Sequence, residues 1–117
     1  MEYSETDKRP WGSYFVIENE KSYKIKRIEV EVGQRLSYQY HNKRSETWTI
    51  IKGIAFVTLD GVEQTYNAGE TVIIPVGVKH RVKNVGKNKL VFIEVQTGQY
   101  FGEDDIVRVE DDYNRVK

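Results

Sequence analysis

Short runs of apolar and β-branched residues, separated by glycine and asparagine, follow one another along the chain. They predict strands, which we place at residues 13–18, 23–32, 47–53, 54–60, 62–66, 71–75, 80–85 and 90–96. The dipeptide Asp60-Gly61 is a strong hairpin signal between two of these strands. No gap between them is long enough for a crossover helix, so the pattern predicts an all-β sandwich or barrel.

The run 23–32 contains a change of phase. Tyr23 and Ile25 share one face of an extended strand, whereas Ile28 and Val30 share the other. Because side chains alternate between the faces of a strand, the change near Arg27 predicts a β-bulge or a bend. The acidic segment 103–117 is compatible with a short helix or with an extended arm.

The length and composition fit one domain, which we expect to span residues 1–117. The chain has no cysteine, which excludes disulfides, thiolate zinc sites and a catalytic thiol. Lys+Arg and Asp+Glu are both 18, which argues against nonspecific nucleic-acid binding.

The first ten residues hold no apolar leader, and the apolar run 71–78 is far too short to span a bilayer. We therefore expect a cytoplasmic protein with no nucleic-acid or membrane partner.

The charges are spread unevenly. Residues 71–93 contain no acid but hold five basic residues, namely Lys79, Arg81, Lys83, Lys87 and Lys89. Such a stretch is either a solvated face or a positive rim beside an anionic ligand.

Both histidines lie among possible metal ligands. Gln39 and His41 are two residues apart and can point to the same face of a strand. A short turn at 42–45 could bring Glu46 beside them, and the tight turn at 75–80 could deliver His80. Two imidazoles, a carboxylate and an amide oxygen suit zinc, manganese, iron, nickel or cobalt.

The spacings around these residues follow two motifs. From Gly33 to Gly53 the chain reads G-x5-Q-x-H-x4-E-x6-G, and from Gly69 to Asn84 it reads G-x5-P-x-G-x2-H-x3-N. This resembles the two cupin motifs, with a glutamine where most cupins have their first histidine. The resemblance implies a double-stranded β-helix (a jelly-roll barrel). It also implies metal ligands at Gln39, His41, Glu46 and His80.

A narrower resemblance covers most of the chain. The segments 9–14, 23–41, 44–48, 74–82 and 93–115 look like the type II mannose-6-phosphate isomerase family. In that family this cupin often forms the C-terminal domain of bifunctional enzymes with mannose-1-phosphate guanylyltransferase, in GDP-mannose and polysaccharide biosynthesis. Glutamine at the first ligand position belongs to the family's pattern. The resemblance implies interconversion of mannose 6-phosphate and fructose 6-phosphate with one divalent metal, zinc being the first expectation.

The chain departs from this family at several positions. Asn42, Lys43 and Thr47 stand where histidines are common, and Asn114 replaces a usual glycine. No Gly-rich nucleotide loop precedes the cupin, so we expect a stand-alone isomerase domain without nucleotidyl transfer.

We expect the substrate to be a hexose phosphate. Arg44 is predicted to lie at the pocket mouth as a catalytic and substrate-binding residue. Lys43 and Lys79 are predicted to flank the same mouth and bind phosphate as point charges. The general base is not identified by the sequence. A homodimer is expected, because open sheet edges invite pairing and the strand at 9–18 could be exchanged with a partner.

Other functions fit the same residues. Two histidines and one carboxylate can form a facial triad for iron(II), as in an iron dioxygenase, and phosphoglucose isomerase is another cupin activity. A non-catalytic sugar-phosphate sensor or assembly domain is the third hypothesis. Trp11, Trp48 and Phe56 are predicted to be core aromatics.

Overall fold

The computed structural model describes residue 3 and residues 5–113. Its strands are β1 (Glu5–Arg9), β2 (Gly12–Asn19), β3 (Tyr23–Val30), β4 (Tyr38–Tyr40), β5 (Arg44–Lys52), β6 (Ile54–Leu59), β7 (Val62–Asn67), β8 (Thr71–Ile74), β9 (His80–Asn84), β10 (Leu90–Gly98) and β11 (Val107–Glu110). A single 3-10 turn spans Glu103–Asp105, and no α-helix occurs within this part of the chain. The predicted all-β class is confirmed.

The strands form two antiparallel sheets. One has the order β1-β2-β3-β10-β5-β8 and the other the order β11-β4-β9-β6-β7. Several neighbours, such as β3 and β10 or β4 and β9, come from distant parts of the chain, as in a jelly roll. The short strands β1, β4 and β11 were not predicted, because β1 is polar throughout and β4 and β11 are only three and four residues long.

The two sheets enclose an apolar core. Its buried members are Trp11, Tyr14, Val16, Ile28, Val30, Trp48, Ile50, Ala55, Val57, Val72, Ile74, Val82, Leu90 and Phe92. The predictions for Trp11 and Trp48 are confirmed. The prediction for Phe56 is wrong: Ala55 and Val57 point inward from β6, so Phe56 lies half-buried on the outer face.

The change of phase in β3 has a different cause from the predicted bulge. The strand alternates regularly, and Lys24, Lys26, Ile28 and Val30 all point inward and are buried. The register shift lies in the neighbouring strand β2, between Val16 and Glu18. The phase change therefore marks a change in the chemistry of the interior. One end of the space between the sheets is polar and the other is apolar.

The inward polar residues of β3 have polar neighbours on the next strands of the six-stranded sheet. On β10, Gln96 pairs with Lys24 of β3 on one side and with Glu46 of β5 on the other. Gln96 and Glu94 are both buried. We call the end of the barrel around these inward residues the polar end.

The acidic C-terminal segment runs along the polar end. After β10 it forms the 3-10 turn, and β11 then pairs with β4. It is thus an extended arm with one short turn; residues 114–117, including Asn114, lie outside the described residues. No helix in the described ranges is long and apolar enough to cross a bilayer.

Gly98 closes the strand pair that positions the start of β5. Its backbone has φ +151°, and a Cβ there would lie 2.5 Å from the carbonyl oxygen of Lys43. Gly98→Ala should therefore lower the free energy of unfolding by about 2–3 kcal/mol, since both the backbone and the contact are strained. Urea unfolding measures this.

Gly86→Ala is the matched control. A Cβ at Gly86 would have no neighbour closer than 3.5 Å, so its effect should stay within about 0.5 kcal/mol. Equal stability of the two variants would contradict the assignment of Gly98 to a close backbone contact.

Candidate metal centre

Three of the predicted ligands meet at the polar end. His41 directly follows β4, Glu46 lies on β5, and His80 begins β9. Their ligand atoms all lie within 4.8 Å of one another, and each residue is 2% exposed. The structure therefore brings together residues that are up to 39 positions apart in sequence, His41 and His80.

Backbone carbonyls set the orientation of both imidazoles. The Nδ1 atom of His41 lies 2.9 Å from the carbonyl oxygen of Asp105, and that of His80 lies 2.9 Å from the carbonyl oxygen of Val78. A carbonyl oxygen only accepts, so each Nδ1 donates its hydrogen. In the neutral imidazole this leaves Nε2 with a free lone pair. Carbonyls hold metal-ligating histidines in the same way.

The two Nε2 atoms face the same carboxylate. Nε2 of His41 lies 3.0 Å from Oε2 of Glu46, and Nε2 of His80 lies 3.8 Å from Oε1. The Nε2 atom of His80 is buried without a hydrogen-bond partner in the described part of the chain. Buried acceptors that face one another without a hydrogen between them are unfavourable. A divalent cation would satisfy them, so the residues fit zinc, manganese, iron, nickel or cobalt.

Gln39 is placed beside this cluster by its backbone. It pairs with His80 between β4 and β9, and its side chain lines the inner cavity of the polar end. Its amide oxygen accepts a hydrogen bond from the hydroxyl of Ser37 at 2.5 Å. A carboxamide oxygen has two lone pairs, so this bond leaves one available to a metal.

Arg44 does not lie at the pocket mouth, which corrects the predicted position. It is 3% exposed and shares the inward face of β5 with Glu46 and Trp48. Its Nε donates to Oε2 of Glu46 at 3.0 Å, and its Nη2 lies 3.4 Å from Nε2 of His41. Nη1 is buried with no hydrogen-bond partner among the described residues. The guanidinium thus contacts two candidate metal ligands directly.

Lys43 and Lys79 are exposed, away from the three buried ligands. The ammonium of Lys43 lies 4.9 Å from the centre of the Tyr100 ring. The backbone N–H of Lys79 donates to the carboxylate of Asp60 at 2.9 Å. Their role in binding phosphate stays a prediction.

Several buried polar residues near the cluster were missed by sequence reasoning, namely Lys24, Lys26, Glu94, Gln96 and Asp105. One signal could have identified the lysines: they share the period-two face of Ile28 and Val30. Asp105 was hidden in an acidic segment, yet its carboxylate accepts hydrogen bonds from the backbone N–H groups of Asn42 and Lys43.

The protonation states suit cation binding. Burial alone would raise the pKa of Glu46, but the neighbouring His41, His80 and Arg44 hold that pKa well below the ordinary value. Burial lowers the pKa of His80, which keeps the imidazole neutral at physiological pH. Burial, followed by the negative charge of Glu46, raises the pKa of Glu94 to about 8. The indole N–H of Trp48 lies between the two carboxylates, 3.0 Å from Glu46 and 3.2 Å from Glu94.

Removal of one imidazole should abolish tight metal binding. We expect His80→Ala and His41→Ala each to weaken zinc affinity by more than about 100-fold, since loss of outer partners alone costs 10–100-fold. Competition with a chromophoric chelator measures the affinity. Asn42→Ala, at an exposed neighbour of His41, is the control and should bind zinc as the wild type does. Full zinc affinity in both histidine variants would show that the metal lies elsewhere.

The stability of the metal-free protein should depend on pH through Glu94. Its pKa is about 8 in the fold against 4.5 ordinarily, so between these values the folded state holds a proton that the unfolded state has lost. Stability therefore falls as pH rises through this window. The pKa of Glu46 is lowered in the fold, so its contribution to stability is fully present at every pH above the ordinary pKa of a glutamate. Glu46 therefore adds no slope in this window.

The glutamine in Glu94→Gln cannot ionise, so this variant should lose most of the decline in the free energy of unfolding with rising pH. Urea unfolding between about pH 5 and about pH 8 measures the decline. Glu63→Gln changes an exposed glutamate and should leave the slope unchanged. A wild-type slope that persists in the Glu94 variant would assign the pH dependence to another group.

Comparison with known proteins identifies the family. The family model described as mannose-6-phosphate isomerase C-terminal matches residues 1–111. A mannose-1-phosphate guanylyltransferase from Salmonella montevideo is 48% identical over 107 residues, which are 92% of this chain and 23% of that protein. The chain thus spans about a quarter of the length of this relative.

Solved structures agree on the fold. The capsular polysaccharide assembling protein CapF from Staphylococcus aureus matches with a TM-score of 0.78 at 19% identity, over 90% of this chain and 34% of CapF. A Klebsiella pneumoniae protein with a double-stranded β-helix domain matches with a TM-score of 0.73 at 23% identity, over 82% of this chain and 77% of that one. The predicted cupin double-stranded β-helix is confirmed, and the chain belongs to the mannose-6-phosphate isomerase family.

Proposed function

We propose that this cupin interconverts mannose 6-phosphate and fructose 6-phosphate with one divalent metal held by His41, Glu46 and His80, and with Gln39 as a fourth ligand. The observation that carries the proposal is the convergence of three buried ligand atoms within 4.8 Å. The family match adds the substrate class. The bound metal would polarise the carbonyl and hydroxyl oxygens of the sugar.

Arg44 would stabilise negative charge on the reacting sugar. The isomerisation moves a proton between C2 and C1 through an enediolate, whose oxygens carry negative charge. The Nη2 group of Arg44 lies 3.4 Å from Nε2 of His41, and its Nε is held by Glu46 at 3.0 Å. A guanidinium fixed beside the metal ligands provides the preorganised positive charge that such an intermediate requires.

Glu94 is the residue that we propose as the proton carrier. It lines the same inner cavity as Gln39 and Arg44. Its pKa is raised to about 8, and a nearby divalent cation would lower that value toward neutrality. A general acid–base group acts best when its pKa lies close to the working pH. The hydrogen bonds that Glu94 accepts from Trp48 and Gln96 hold its carboxyl group in place.

The remaining expectations belong to the same proposal. A hexose phosphate as ligand, a homodimer and a cytoplasmic location stay predictions, as do zinc as the metal and a single domain over 1–117. The cluster of two histidines and one glutamate also suits an iron(II) dioxygenase. A dioxygenase would consume oxygen when loaded with iron, and the isomerase would not.

The test is a coupled assay of mannose 6-phosphate conversion with zinc, manganese, cobalt, nickel or iron(II) added, run beside oxygen uptake with iron(II). We expect isomerisation by the wild type. Glu94→Gln and Arg44→Lys should each lower kcat by at least about 100-fold while metal content is retained, since they remove a proton carrier and a fixed charge. Glu63→Gln is the matched control for charge. Oxygen uptake without isomerisation would favour the dioxygenase, and neither activity would favour a sensor.

A further inference from the structure

The inner cavity of the polar end carries an excess of positive charge. This cavity, of about 60 Å³, is lined by four cationic side chains, from Arg9, Lys26, Arg44 and Arg108. Among the described residues, two carboxylates line it, from Glu94 and Glu103. Buried cations are unfavourable unless anions pair with them. A cavity with this charge is suited to an anionic ligand.

Lys26 is the most informative of these cations. It is 4% exposed and points inward from β3. Its ammonium lies 4.3 Å from the centre of the Tyr14 ring and 3.3 Å from Oε1 of Glu103. Tyr14 belongs to the barrel wall, whereas Glu103 comes from the short 3-10 turn of the C-terminal arm. The anionic partner of this buried lysine therefore sits on a separate segment.

Glu103 approaches three cations at once. Its carboxylate lies 3.3 Å from Lys26, 3.7 Å from Nη1 of Arg44 and 4.0 Å from Nη2 of Arg9. Only the contact with Lys26 is a hydrogen bond, and Nη1 of Arg44 has no hydrogen-bond partner within the described ranges. The Glu103 side chain is 38% exposed. One carboxylate therefore satisfies this group of cations only in part.

The three cations do not depend on Glu103 for their positions. Arg44 is held by Glu46 at 3.0 Å. Arg9 donates to the hydroxyl of Tyr14 at 3.3 Å and forms an ion pair with Asp7 at 3.2 Å. The Tyr14 ring supports Lys26. The anion-binding groups would therefore remain in place if Glu103 swung toward solvent.

We propose that Arg9, Lys26 and Arg44 form a subsite inside the barrel for a phosphate monoester dianion, and that Glu103 occupies this subsite until the ligand displaces it. A phosphate has three oxygens and a second negative charge, so it can form several charge-assisted hydrogen bonds where the carboxylate forms one. The inference deepens the proposed function, since it names the residues that would hold the phosphate of the sugar.

The subsite is adjacent to the candidate metal centre. Arg44 contacts Glu46 through Nε and faces Glu103 through Nη1. One guanidinium therefore separates the metal ligands from the anion subsite. A sugar phosphate could reach both, with its sugar end toward His41 and His80 and its phosphate toward Lys26. The exposed Lys43 and Lys79 would then be dispensable for phosphate binding.

Titration of inorganic phosphate into the metal-loaded protein tests the subsite, with chloride at equal ionic strength as the blank. Glu103→Gln removes the competing carboxylate and should strengthen phosphate binding by about tenfold. Asp104→Asn removes the same charge one residue along the chain and should change the affinity for phosphate by less than about twofold. Lys26→Met should weaken binding by at least about tenfold, and Lys26→Arg should restore part of the loss.

Three results would overturn the proposal. Equal changes in phosphate affinity in the Glu103 and Asp104 variants would show that only the net charge of the protein matters. Unchanged binding in Lys26→Met would also overturn it, as would a loss found only in a Lys43→Ala, Lys79→Ala variant, which would place the phosphate at the rim. Thermal unfolding and metal content verify that each variant is folded.

The isomerase assay separates this inference from the proposed function. If both are correct, Lys26→Met should raise the KM for mannose 6-phosphate by about tenfold or more with little change in kcat, as for loss of uniform binding. If the variants change phosphate affinity as expected but the wild type has no isomerase activity, the subsite is supported and the proposed reaction is wrong. Activity with an unchanged KM in Lys26→Met would retain the reaction and reject the subsite.

Discussion

The polar end of the barrel depends on one buried carboxylate. Glu46 accepts hydrogen bonds from Arg44 at 3.0 Å and from the indole of Trp48 at 3.0 Å, and it faces the Nε2 atoms of both histidines. A carboxylate at 2% exposure is stable only if such groups compensate for its lost hydration. The inward polar residues of β5, β9 and β10 are therefore arranged around this one charge.

The division of the interior into a polar and an apolar end follows from this constraint. A closed apolar core would leave Glu46 without partners. The strands beside it contribute Gln96 and Lys24 at the level of Glu46, Glu94 and Lys26 at the level of Trp48, and aliphatic residues further along. Trp48 joins the two ends, since its ring packs 5.0 Å from Phe92 while its N–H reaches Glu46. The apolar end stabilises the barrel, and the polar end is left for ligand chemistry.

Strand alternation was sufficient to predict an all-β sandwich or barrel, and the resemblance of the two motifs to those of cupins added the double-stranded β-helix and the meeting of His41, Glu46 and His80. Strand alternation and turn signals are local features of the sequence, and each of the two motifs is a set of residues at fixed spacings, so all of them can be recognised without the structure. Burial of charge was not predictable in the same way. Arg44 was predicted at the pocket mouth and Lys26 was not predicted as a site residue, because charged side chains seldom lie inside a small domain. Their partners Glu46 and Glu103 are brought to them only by the folded chain.

The central claim is that His41, Glu46 and His80 together coordinate one divalent metal. X-ray absorption fine structure of the zinc-loaded protein tests it most directly, because imidazole rings give a characteristic outer-shell scattering. We expect two imidazole nitrogens and oxygen ligands at about 2.0–2.2 Å from the zinc. A shell of oxygens alone, without imidazole scattering, would contradict it.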